Sequence, residues 1–149
     1  MQGTEFWRPF FLGLSILSCV WLFIHDWRTN TLPITALTLL GLGLGGYYWQ
    51  NLSLEGLLLC SLTTATLWLL AKSVGHVKGT NVLGGGDLLL VFLLSCGLTF
   101  HQIPWFFALS GLLALIYWRL TPAHAKGDSR LPFAPALITA RWILGGFAT

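Results

Sequence analysis

The chain has 149 residues, of which 55% are hydrophobic and 9% charged, with eight Trp, ten Phe and three Tyr. A soluble domain carries about a quarter of its residues charged, so this composition argues against a soluble fold and for a bilayer, where aromatic rings collect at the headgroups. The net charge of +3 comes from few charges and forms no basic patch, which removes nucleic acid as a partner.

Six apolar blocks follow in order, each bounded by polar, Pro or Gly residues. The first runs from Phe6 to Ile24. It is read as a retained helix: "MQGTEFWR" before it has one acid and one base, "ILSCV" only loosely resembles a lipoprotein cleavage site, and apolar "VWLFI" follows Cys19. The second, Ile34 to Trp49, contains "GLGLGG" (41 to 46), whose small residues suit close helix packing. The third is Leu54 to Ala71, and the fourth, Leu88 to Phe100, is short. A span needs about 20 residues, so the fourth must borrow its flanking glycines, Asp87 or His101–Gln102. Trp105 to Leu120 and Phe133 to Phe147 complete the set. Short connections predict an all-α membrane protein, a bundle of six transmembrane helices forming one domain over 1–149. Cys19, Cys60 and Cys96 lie singly in apolar stretches without C-x-x-C spacing and are read as packing residues.

Lys and Arg set the expected orientation. Arg28 follows the first block, Lys72 and Lys78 the third, and Arg119, Lys126 and Arg130 the fifth, whereas "QNLSLE" and "HQIP" hold none. The positive-inside rule then places loops one, three and five in the cytoplasm and both termini outside, with Arg8 and Arg141 as exceptions.

Five carboxylates remain to be sorted: Glu5, Asp26, Glu55, Asp87 and Asp128. Asp26 closes the first block and Asp87 opens the fourth, so both fall at the cytoplasmic face. Glu5 and Glu55 fall outside, and Asp128 lies in the polar "AHAKGDSR". Taken singly, Asp26 reads equally well as a solvated helix-end acid beside Arg28, and Asp87 as an N-cap. As a pair they can share one proton. The ionised member then takes a proton from water while the protonated one polarises a carbonyl, which is the chemistry of peptide hydrolysis. Gly84, Gly85 and Gly86 lack side chains and would let an extended substrate backbone approach.

"GGGD" (84 to 87) matches the G-x-G-D motif of intramembrane aspartyl proteases. "HDWRTNTLP" (25 to 33), with Leu32–Pro33, resembles the segment around the first aspartate of type IV prepilin peptidases. "LPFAPAL" (131 to 137), with Pro132 and Pro135, is similar to the stretch opening that family's last helix. The resemblance covers nearly the whole chain. It implies a catalytic pair, Asp26 and Asp87, that removes the basic leader from prepilins or pilin-like secretion subunits at the cytoplasmic face of a bacterial inner membrane, with no metal or other cofactor. Many members also carry an N-terminal domain with paired cysteines and methylate the new N-terminus. No such domain is read here, so the resemblance is to the compact, peptidase-only form, without methyltransferase activity. Three positions depart from the pattern: Leu88–Leu90 bring no Lys after the second Asp, Ile34 replaces Asn, and Ala134 replaces Gly.

His25, His76, His101 and His124 are scattered over both sides of this topology and read as loop or headgroup histidines rather than metal ligands. Neither G-x-S-x-G nor a Ser–His pair stands out. Two alternatives stay open: a small proton- or cation-coupled transporter using the same acids, and a catalytically inactive membrane scaffold of the same family.

Overall fold

The computed structural model describes residues 7–29, 31–49, 53–78, 84–120 and 133–145. Among them are six helices: α1 Trp7–Thr29, α2 Ile34–Tyr48, α3 Leu54–Lys78, α4 Gly85–Ser95, α5 Gln102–Leu120 and α6 Phe133–Ile143. All six apolar blocks are helical, and the differences lie at their ends. The first helix runs through His25–Thr29, which carries Asp26 inside the helix rather than at its close. The fourth begins three residues early, drawing Gly85, Gly86 and Asp87 into its first turn. It does not borrow from the His101 side, because Gly97 takes φ 77°, the left-handed conformation that ends helices.

Among the described residues, two helices are long and apolar enough to cross a membrane, α1 and residues Leu54–Ser73 of α3. The other four are shorter, and α4, with 11 residues, spans only about 16 Å at 1.5 Å per residue.

Helix directions alternate. Gly43 and Gly46 of α2 lie against Ser15 and Phe11 of α1, so these two run antiparallel. Gly86 at the start of α4 lies against Leu32 and Leu37 around the start of α2, while Tyr48 at the end of α2 covers Gly97 just beyond α4. Those two helices are parallel. The amide of Ala134 at the start of α6 reaches Asp26, and Arg141 near its end reaches Tyr48, so α6 shares their direction. Tyr117, late in α5, packs on Phe23 and Trp27, late in α1. Cys60, early in α3, lies beside Cys96 just after α4, so α3 and α4 run antiparallel. All three cysteines are buried free thiols, in keeping with their reading as packing residues.

Helices α2 and α6 each pack against both α1 and α4, closing a ring of four; α3 joins it at α4 and α5 at α6. The core comes mainly from that ring, with Leu22, Leu40, Leu44, Leu90, Leu94, Leu137 and Ile138 buried, and Phe106 supplied by α5. Seven of the 11 residues of α6 are buried, as expected of a helix enclosed on most sides. Outward faces are apolar as well, including Leu17 and Trp21 on α1, Leu62 and Leu69 on α3, and Leu112 and Leu115 on α5.

The "GLGLGG" stretch separates into two kinds of glycine. A Cβ on Gly43 would stand 2.5 Å from Ser15 Oγ, and one on Gly46 2.5 Å from the Phe11 ring, whereas Gly45 faces open space. Only the first two let α2 close onto α1.

Candidate active site

The site grows from three helix beginnings that meet the end of α1. Each helix start carries backbone N–H groups without intrahelical partners and a partial positive charge. Pro33, at φ −69°, precedes α2, and its carbonyl accepts from the amides of Ala36 and Leu37 at 3.1 and 3.2 Å. Its fixed φ sets the chain for the first turn. Gly84 caps α4 in extended conformation and α6 begins at Phe133.

Asp26 lies among them with only 4% of its surface exposed. Its Oδ2 accepts the amide N–H of Ala134 at 3.1 Å, a bond that joins residues 108 apart in sequence. The reading of Asp26 as a solvated acid beside Arg28 is overturned, since Arg28 is exposed while Asp26 is buried. Burial of a carboxyl is tolerable because the otherwise unbonded amide in the first turn of α6 satisfies one of its oxygens.

Asp87 is half-buried at the third position of α4. It is not the N-cap: its Oδ2 reaches back to accept the amide N–H of Gly84 at 3.2 Å. That bond orients the carboxyl across the helix start. The charge of Asp87 bears on Asp26, so the ring brings the two acids within electrostatic reach although α1 and α4 stand on opposite sides of it.

The glycines are not equivalent. A Cβ on Gly84 would stand 3.3 Å from Asp87 Oδ2 and one on Gly86 3.4 Å from Leu32, but Gly85 has nothing within 4 Å and is exposed. Gly86 serves packing, and Gly85 leaves an open approach beside Asp87. Pro135 is buried at the third position of α6. Pro132 lies outside the described residues, as do Glu5, Asp128 and His124. Glu55 is exposed in the first turn of α3, at the far end of the bundle. Among the described residues, no group of three His, Cys, Asp or Glu side chains could hold a metal ion.

Sequence reasoning passed over three parts of this site. The Ala134 amide is a backbone donor and has no residue signature; the nearby prolines were its only hint. His25, Thr29 and Thr31 form a hydrogen-bonded cluster at the end of α1. Trp27 stacks on Phe23 with centroids 6.1 Å apart, and Tyr117 meets both edge-on while its hydroxyl bonds Thr139 at 3.0 Å. These rings brace the Asp26 turn against α5 and α6.

The apolar helical bundle thus gathers two acids at one end, beside a backbone open to approach. Residues 13–119 match the model of the type IV leader peptidase family, and the chain belongs to that family. Membership makes it a leader-peptidase-like protease with a protein substrate. The matched stretch contains both aspartates and ends before α6. No curated protein and no solved structure matches the chain.

Proposed function

We propose that this protein is a membrane-embedded aspartyl endopeptidase of six spans, forming one domain, that removes the basic leader from prepilins or pilin-like subunits at the cytoplasmic face of a bacterial inner membrane. The observation that carries the reading is the convergence of Asp26 and Asp87, one from the end of α1 and one from the start of α4, around the starts of α2 and α6.

The chemistry follows from one proton shared by two acids. The ionised carboxyl removes a proton from water, whose oxygen attacks the scissile carbonyl carbon; the protonated carboxyl donates its hydrogen to the carbonyl oxygen. Collapse of the tetrahedral species passes a proton to the departing amine and returns the pair to its starting state. Ala134 holds Asp26 in place throughout, and the Gly84 amide does the same for Asp87.

The alternation of helix directions supports the topology. Helices α1, α3 and α5 all finish at the aspartate end, bringing Arg28, Lys72, Lys78 and Arg119 there, which under the positive-inside rule is the cytoplasmic side. The apolar outer faces suit contact with lipid.

Co-expression with candidate prepilins tests the proposal. Leader removal by the parent is expected, with a loss of about 100-fold or more in Asp26→Asn and in Asp87→Asn. Full cleavage by either variant overturns the dyad. A parent that cleaves no prepilin while accumulating normally favours an inactive scaffold, and proton-coupled transport lost in the same variants favours a transporter.

A further inference from the structure

His25 precedes Asp26 but faces the connection to α2. Its Nδ1 lies 2.9 Å from the carbonyl oxygen of Thr31 and 3.0 Å from Thr29 Oγ1. A carbonyl oxygen can only accept, so Nδ1 carries the proton and donates it. Thr29 Oγ1 shares that hydrogen at 3.0 Å, and the remaining bonds fit this arrangement. The Thr29 hydroxyl donates to the His25 carbonyl at 2.8 Å, and its oxygen accepts from the Thr31 hydroxyl at 2.8 Å. The ring thus clasps the chain where it leaves α1, with Nε2 taking no part.

The clasped strand leads directly to the second acid. Leu32 follows Thr31 and lies against Gly86, where a Cβ would stand 3.4 Å from Leu32 Cδ1 and 3.5 Å from its Cβ. Asp87 follows Gly86. A continuous path of hydrogen bonds and packing therefore runs from the turn bearing Asp26 to the turn bearing Asp87, through a connection only four residues long between α1 and α2.

We propose that His25 is a positioning residue for the aspartate pair, its Nδ1–H fixing the Thr31 carbonyl so that Leu32 seats on Gly86 and holds Asp87 in register with Asp26. The proposal rests on the dyad reading given above. It assigns the role to one nitrogen, which makes it separable from a role for imidazole charge or for Nε2.

Leader cleavage by the full chain in membranes tests it in His25→Ala, His25→Asn and His25→Gln, beside the parent. An Asn amide places a donor close to the position of Nδ1, while Gln reaches toward that of Nε2. His25→Ala is expected to lose roughly tenfold in kcat with little change in KM, as for one lost hydrogen bond, and His25→Asn to recover most of that loss while His25→Gln does not. Parent-like kcat in His25→Ala, or recovery by Gln and not by Asn, overturns the proposal. A second measurement needs no activity: nitrogen NMR of histidine-labelled protein in micelles at alkaline pH, with the His25 signal assigned by its loss in His25→Asn. The Nδ1–H tautomer is expected, and a dominant Nε2–H tautomer overturns the clasp. A parent that cleaves nothing defeats the dyad reading, whereas the tautomer decides the clasp in either case.

Discussion

The two ends of the bundle each bury a charged side chain, and they differ in almost everything else. At one end Asp26 is surrounded by the starts of α2, α4 and α6; at the other Arg141, fully buried, lies near the ends of the same three helices and donates from Nη2 to the Tyr48 hydroxyl at 3.1 Å. Each charge matches the sign of the helix ends around it, an anion at starts and a cation at finishes. What separates them is a second ionisable acid and an open approach, present beside Asp26 at Asp87 and Gly85, whereas Tyr48 closes over Gly97 at the Arg141 end. A buried charge alone does not mark a site. The partner and the access do.

Substitutions at the two ends should therefore fail in different ways. Asp26→Asn or Asp87→Asn is expected to slow leader cleavage by about 100-fold or more with normal accumulation in the membrane, because Asn keeps an oxygen for the Ala134 or Gly84 amide. Arg141→Ala should do the reverse. Emptying so large a buried volume is expected to cost about 3–5 kcal/mol in denaturant unfolding, while the molecules that do fold cleave at the parent rate. Loss of turnover in well-folded Arg141→Ala would erase the distinction between the ends.

Smaller changes sharpen it. Asp26→Ala should be less stable than Asp26→Asn by about 1–3 kcal/mol, since it strands the Ala134 amide away from water. Gly43→Ala is expected to destabilise by roughly 1–3 kcal/mol through collision with Ser15, and Gly45→Ala to leave the unfolding midpoint unchanged or raise it. The smallest effect belongs to the motif glycines. Gly84→Ala should slow cleavage more than Gly85→Ala when the substrate is a short peptide, because only the first crowds Asp87 Oδ2.

Much of this was legible in the amino-acid sequence for a physical reason. Apolar runs of 13 to 19 residues bounded by polar, Pro or Gly residues are too long for ordinary strands and read as helices, so all six were found, along with the two acids standing out from them. Their ends were harder. His25–Thr29 is polar and does not extend the apolar pattern, yet it continues α1, whereas the fourth block was expected to borrow residues from one flank or the other, and only the folded chain shows that it takes Gly85, Gly86 and Asp87. The amide of Ala134 was invisible since every residue but proline has one, and only the folded chain shows which amide meets which acid. The clasp by His25 was missed for a related reason: its acceptor is a backbone carbonyl six residues away, beyond the helix end.

The claim that Asp26 and Asp87 work as one unit is tested most directly by a double-mutant cycle on leader cleavage, with Asp26→Asn, Asp87→Asn and the combined variant measured on one prepilin. Groups that act together are strongly non-additive. The account predicts that the combined variant is no slower than either single one, each having already removed the shared proton's home. Losses that multiply would show two acids contributing separately and would contradict it.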